Sequence, residues 1–170
     1  QGREIAEGLL GDVRTGYAVA STVISKMRYY SSVAALWQRS NRKISIRQWL
    51  TGSSILLLGT NATASASLDA LNEQIFKVMV EEIDLQTNSS SRRTWVWLDE
   101  ARLAGSILRS ESLSLLAVKG RSRGACLVLA FQDIEGFKEA AGSRVAAEII
   151  AQCSNKVLLR AESDETATWS

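Results

Sequence analysis

The sequence predicts an α/β domain, a mostly parallel sheet flanked by helices, entered through a helical N-terminal segment. Three observations predict it. Apolar runs, the mark of strands covered on both faces, recur at residues 55–59, 94–98 and 125–131, and a last strand is expected over Lys156-Val-Leu-Leu-Arg-Ala161. Stretches with apolar residues two to four apart separate these runs, so strand and helix alternate as right-handed parallel crossovers require. Residues 1–39 carry no strand signal. The expected division is therefore a helical segment over 1–43 and the α/β part over 44–170.

Composition narrows the function classes. The chain has 170 residues, 46% apolar and 22% charged, ordinary for one globular domain. A net charge of +2 does not announce a nucleic-acid partner, so local clusters must carry any such claim. Histidine is absent, which removes Ser-His and Cys-His catalysis and His-ligated zinc. Chemistry here must run on carboxylates, arginines, lysines or amides. Cys126 and Cys153 sit in apolar patterns and read as buried free thiols of a reducing compartment. No window of about 18 uninterrupted apolar residues exists.

The elements follow in order. Leu9, Leu10, Val13, Tyr17, Val19, Val23, Ile24, Met27 and Tyr30 form a helical stripe, expected as two or three helices broken near 11–16 and 30–32. Tyr17, Tyr29, Tyr30 and Trp37 read as helix-packing residues rather than a base-stacking platform. Arg39, Arg42, Lys43 and Arg47 form a basic cluster, either a solvated loop or a phosphate-contacting one. A short helix ends at Gly52, and the first strand is expected at 55–59. Ser67 or Asp69 caps a long helix with Leu68, Leu71, Ile75, Phe76, Met79, Val80 and Ile83 on one face. Residues 87–93 read as a polar connection with little reason to be rigid. After the strand at 94–98 a helix is expected over 101–118, with a break near 110–112. A basic turn, Lys119-Gly-Arg-Ser-Arg-Gly124, leads into the strand at 125–131. Helices around Ile134 and Phe137 and over 143–153 follow, separated by Gly142, before a last strand at 156–161.

The run Thr94-Trp-Val-Trp-Leu-Asp-Glu100 places two carboxylates at the carboxyl end of a strand, where open α/β sheets bind ligands. An apolar strand ending in Asp-Glu is the Walker B arrangement, whose first acid holds Mg²⁺ and whose second polarises the attacking water. The plainer reading is two acids favoured by the dipole of the next helix. Gln132 ends the neighbouring strand, and its amide suits a sensor of the γ-phosphate. Its plainer reading is a neighbour of a helix N-cap, and that of Arg121 is a solvated turn residue. The three features are expected at equivalent ends of neighbouring elements, and a carboxylate pair one strand away from a terminal glutamine is the layout RecA-like motor ATPases need.

With these residues in place, the chain from about Ile44 onward resembles the nucleotide-binding domain of type IV secretion coupling proteins, the DNA-pumping ATPases of bacterial conjugation. The similarity rests on Ile44-Ser-Ile-Arg-Gln-Trp-Leu50, the Trp95 to Ala101 strand with its acids, Lys119-Gly-Arg-Ser-Arg-Gly124 and the strand ending Phe131-Gln132. Gly142 with its helix and Asn155-Lys-Val-Leu-Leu-Arg160 leading to Asp164-Glu-Thr-Ala167 complete it. The resemblance implies a RecA-like P-loop NTPase fold, with Asp99 as the Mg²⁺ acid, Glu100 as the catalytic carboxylate and Gln132 as the nucleotide sensor. It implies that Arg121 acts as an arginine finger on a neighbour's nucleotide, with Arg160 as a second candidate. ATP and Mg²⁺ would be the cofactors. DNA, relaxase proteins and the secretion channel would be the partners of a homo-hexamer on the cytoplasmic face of the bacterial inner membrane. The helical segment would correspond to the end of an all-helical insert domain.

The sequence also departs from that family. It holds no Gly-x-x-x-x-Gly-Lys-Ser/Thr loop, so it lacks the amides and lysine that cradle the β- and γ-phosphates. The expectation is a piece of a longer protein whose phosphate loop and membrane helices lie upstream, and which is inactive alone. Two alternatives stand beside this: another DNA-pumping ATPase of the superfamily, for chromosome segregation or DNA processing, and a non-catalytic docking module of the same fold.

Overall fold

The structure, a computed structural model, describes residues 13–61, 63, 65–160 and 163–169. It divides into two compact units, Gln1–Lys43 with Thr60–Leu71, and Ile44–Gly59 with Asn72–Ser170.

In the first unit, α1 (Val13–Met27) passes into a 3₁₀ turn (Arg28–Tyr30) and then α2 (Ser31–Arg39). The expected break near Tyr30 is this 3₁₀ turn, whereas α1 runs through Gly16 without interruption. Residues 1–12 of the expected stripe lie outside the described residues. Three of the four aromatic residues do not pack as expected: Tyr17, Tyr29 and Trp37 are exposed, and Lys43 Nζ sits 4.3 Å above the Trp37 ring. Val23, Ile24, Met27 and Leu36 are exposed with them, while Val19 and Tyr30 are half-buried.

The second unit holds the sheet. Thr94–Leu98 (β1) pairs in parallel with Ala125–Leu129 (β2), in a register from Thr94↔Ala125 to Leu98↔Leu129. β-Branched and aromatic residues suit the pleat, and Val96, Ala125, Leu98, Leu127 and Leu129 join the core. Side chains alternate across a strand, so Trp95 and Trp97 lie on the other face. They are 55% and 66% exposed, with ring centroids 5.9 Å apart. The expectation of a strand covered on both faces is therefore corrected: β1 is covered on one.

Two further expected strands are also corrected. Residues 55–59 and 156–160 carry no ladder, and Ile55, Leu57, Val157 and Leu159 are each more than 80% exposed. An apolar run becomes a strand only when a neighbour pairs its amides and carbonyls. Among the described residues the sheet is β1-β2, and neither run is part of it.

Helices build the rest of the core. The short α3 (Ile46–Thr51) has Ser45 as its N-cap and stops at Gly52, as expected. The long α4 (Ser65–Asp84) buries Asn72, Phe76, Met79, Val80 and Ile83 at helical spacing. Its buried Asn72 amide donates to the Gly59 carbonyl at 3.0 Å. The segment after β1 is not α-helix. It forms 3₁₀ turns over Ala101–Arg109, kinked where Gly105 adopts φ 59°, before Ser110 caps α5 (Glu111–Lys119). A 3₁₀ turn (Gly120–Arg123) precedes β2. Beyond β2 come α6 (Ile134–Ala141), α7 (Ser143–Gln152) and α8 (Asp164–Trp169), with Gly142 at φ 88° reversing the chain between α6 and α7.

Phe137, fully buried, stacks on Phe131 at 4.7 Å, and Trp169 of α8 leans on Phe131 at 6.5 Å. Polar contacts pin α8 to the start of α6. The buried Thr166 hydroxyl accepts from the Ile134 amide at 3.1 Å, and Lys138 Nζ meets Glu165 at 2.6 Å. Both cysteines are free and half-buried, and burial pushes the Cys153 thiol up from its usual range.

Candidate functional site

The carboxyl-terminal edge of the sheet gathers three of the residues singled out from sequence. The Leu98 carbonyl accepts from the Ala130 amide at 3.0 Å, and the Ala101 amide donates to the Ala130 carbonyl at 2.7 Å. These bonds straddle Asp99 and Glu100 and force a tight turn between them. Glu100 takes φ 50°, ψ 64°, the only non-glycine residue with positive φ among the described residues. A left-handed L-residue costs roughly 1–2 kcal/mol, and such strain concentrates at functional sites.

The turn aims the Glu100 side chain at β2. Gln132 Nε2 donates to Glu100 Oε2 at 2.9 Å, so a contact across 32 positions joins two residues chosen separately from sequence. Glu100 Oε1 is buried without a hydrogen-bond partner among the described residues, and Arg102 Nε stands 3.8 Å away, a charge contact too long for a bond. Asp99 is exposed beside it. Next along the chain, Asp133 caps α6 by accepting from the Gly136 amide, so Gln132 is also the N-cap neighbour of its plainer reading.

Arg121 is not in this group. It precedes β2, whereas Gln132 follows it, and the strands are parallel. Five residues of strand span roughly 17 Å, so Arg121 lies at the opposite, amino-terminal edge. The expected equivalence of ends fails for this residue, and within one subunit it cannot touch the carboxylates. Arg160 follows a segment without ladder pairing, so its placement at a strand end is corrected as well.

Of the basic cluster, Arg47 is bound to α4. Its Nε donates to both Glu82 oxygens at 3.1 and 3.0 Å and its Nη2 to Oε1 at 2.7 Å. That hydrogen bonding holds the Glu82 carboxyl below the usual range. Arg39, Arg42 and Lys43 are exposed. A larger pattern surrounds them. From Val13 to Leu68 the sequence holds no Asp or Glu but seven cations: Arg14, Lys26, Arg28, Arg39, Arg42, Lys43 and Arg47. A net charge of +2 hides this asymmetry, and counting charges by segment would have found it.

The residues present fit a magnesium–nucleotide pair in part. Mg²⁺ keeps several waters and usually takes only one or two carboxylates besides phosphate oxygens, a role that Asp99 and the Glu100 oxygen without a hydrogen bond could fill. No group of three or more acidic or cysteine ligands occurs among the described residues, so a metal cage made by protein alone is not on offer there. Nor is any helix among them long and apolar enough to cross a membrane.

The sequence model of one family, described as the type IV secretion-system coupling protein DNA-binding domain, matches residues 3–170. No curated protein and no solved structure matches the chain.

Proposed function

The chain belongs to the family of type IV secretion-system coupling protein DNA-binding domains, and on that premise we propose that it is part of an ATP-driven DNA translocase. The translocase would deliver relaxase-bound DNA to a secretion channel, working as a homo-hexamer on the cytoplasmic face of the bacterial inner membrane. One observation carries the ATPase reading: a glutamate on a left-handed backbone at a strand end, with one carboxylate oxygen held by Gln132 and the other buried without a hydrogen bond.

Bound Mg·ATP would supply the electrophilic γ-phosphoryl group. Asp99 would hold the cation through its water shell. Glu100 Oε1, which has no competing hydrogen bond, would accept the proton of the attacking water, while Gln132 fixes Oε2. Gln132, bonded to Glu100, would sense whether the γ-phosphate is present. Arg121 would act on a neighbour's nucleotide, which its position at the far edge of the sheet supports. The phosphate-cradling loop would come from residues outside these 170.

DNA would be held by phosphates, and the acid-free stretch from Val13 to Leu68 supports that reading. The test measures ATP hydrolysis by a chain that includes the upstream phosphate loop, with and without DNA. The expected result is stimulation by DNA of any sequence, falling steeply as salt rises. Hydrolysis indifferent to DNA would overturn the translocase reading. A second reading, a docking module for protein partners, draws on the exposed Tyr17, Ile24, Leu36 and Trp37 of the helical segment. An upstream reading frame without a glycine-rich Lys-Ser/Thr loop would favour it.

A further inference from the structure

The basic turn before β2 contains two arginines with opposite fates. Arg121 is exposed, and its guanidinium makes no hydrogen bond or ion pair among the described residues. Arg123 is turned inward. Its Nη1 donates to the Gln86 carbonyl at 2.7 Å and its Nε lies 3.8 Å from Asp84 Oδ1. Asp84 is the last residue of α4 and Gln86 lies two residues beyond it, so Arg123 sits at the end of the helix whose dipole favours a cation.

The segment at 89–94 completes the hold. Three consecutive carbonyls of the turn each accept from it: Ser122 from the Ser89 amide at 3.0 Å, Arg123 from Arg92 Nε at 3.1 Å, Gly124 from the Thr94 amide at 2.9 Å. The Arg92 Nη2 also bonds the Thr87 carbonyl. Gly124 has φ 82°, and a Cβ there would stand 2.6 Å from the Arg92 carbonyl oxygen, so the two segments touch backbone to backbone. Residues 87–93, read from sequence as a loose connection, are therefore one half of a clamp.

We propose that Arg92 and Arg123 are positioning residues that clamp the Gly120–Arg123 turn so that Arg121 projects in a fixed direction toward an adjoining subunit. The inference rests on the reading of Arg121 as an arginine acting in trans. A long cation contributes to a transition state only when its direction is set in advance, and a misplacement of about 1 Å costs roughly 100-fold. The clamp supplies that direction from two sides, α4 through the Arg123 side chain and the strand lead-in through Arg92.

The test uses the full-length protein and four variants: Arg121→Ala, Arg123→Ala, Arg123→Lys and Glu100→Gln. Arg123→Ala is expected to lower kcat about 100-fold with ATP affinity unchanged. Arg123→Lys keeps one donor for the Gln86 carbonyl and should recover most of that loss. Amide hydrogen exchange over 119–126, followed without nucleotide, should accelerate at least about tenfold in Arg123→Ala. Mixed rings separate positioning from misfolding. Arg123→Ala subunits keep Glu100, and Glu100→Gln subunits keep a well-held Arg121, so their mixture should exceed the activity of either alone. Arg121→Ala mixed with Glu100→Gln should do the same. If that second mixture complements while Arg123→Ala turns over and exchanges like wild type, the clamp is refuted and the trans arginine stands. If that second mixture fails to complement, the trans reading falls and the clamp's role with it.

Discussion

Replacing Glu100 by Gly and by Ala tests the strained turn at the heart of the site. Both substitutions delete the same side chain, and with it the 2.9 Å bond from Gln132, so that loss cancels in the comparison. Two effects remain. At φ 50°, ψ 64°, alanine keeps the left-handed penalty of roughly 1–2 kcal/mol, which glycine does not carry. Glycine in turn gives up roughly 0.4–1 kcal/mol through the greater freedom of its unfolded chain. The difference is about 0.8 kcal/mol in favour of glycine, the reverse of the order at ordinary helix or strand positions. With a urea m-value of about 2 kcal/mol per molar, Glu100→Gly should unfold at a midpoint about 0.4 M higher than Glu100→Ala. Urea titrations followed by tryptophan fluorescence read this directly. Should alanine prove the more stable, Glu100 is not left-handed in solution and the turn that aims its carboxylate is wrong.

Other consequences are simpler to state. Phe137→Ala removes a fully buried ring stacked on Phe131 and should cost about 3–5 kcal/mol, a large share of a typical domain's stability, by urea unfolding. Glu82, held low by its hydrogen bonds to Arg47, contributes stability that is fully present above the unfolded carboxylate value of about 4.3 and is lost as pH falls through its lower folded value. Glu82→Gln should therefore flatten the pH dependence of the unfolding midpoint as pH falls below the unfolded carboxylate value of about 4.3. An unchanged slope in that variant would show that the pair is not formed in solution.

What the sequence disclosed depended on the range of the interaction involved. Local signals read well: Ser110 as a break, Gly142 between two helices, Gly52 after a short helix, and the buried stripe Phe76, Met79, Val80 and Ile83 all have causes within a few residues. Strand composition read well at Thr94–Leu98 and misled at 55–59 and 156–160, because pairing is a property of neighbours and apolar content is not. Asp99, Glu100 and Gln132 could be singled out as strand-end polar residues, and the parallel register explains why Glu100 and Gln132 meet. The same register carries Arg121 to the opposite edge, which residue types alone do not reveal. The left-handed Glu100 had no sequence signal, since nothing in Leu98-Asp-Glu-Ala101 asks for positive φ. It follows from the bonds at Leu98 and Ala101 that pull the turn tight. The clamp of Arg92 and Arg123 was hidden because a run of serines and arginines looks solvated until its carbonyl partners are known.

The central claim, that Glu100 is the carboxylate that takes the proton of the attacking water, is tested most directly by Glu100→Gln in the full-length protein. ATP binding and ATP turnover are measured side by side. The substitution keeps shape and the contact with Gln132 while removing the base, so binding should stay within a few-fold of wild type while turnover falls by about 10²–10⁴. Turnover that survives intact would contradict the account.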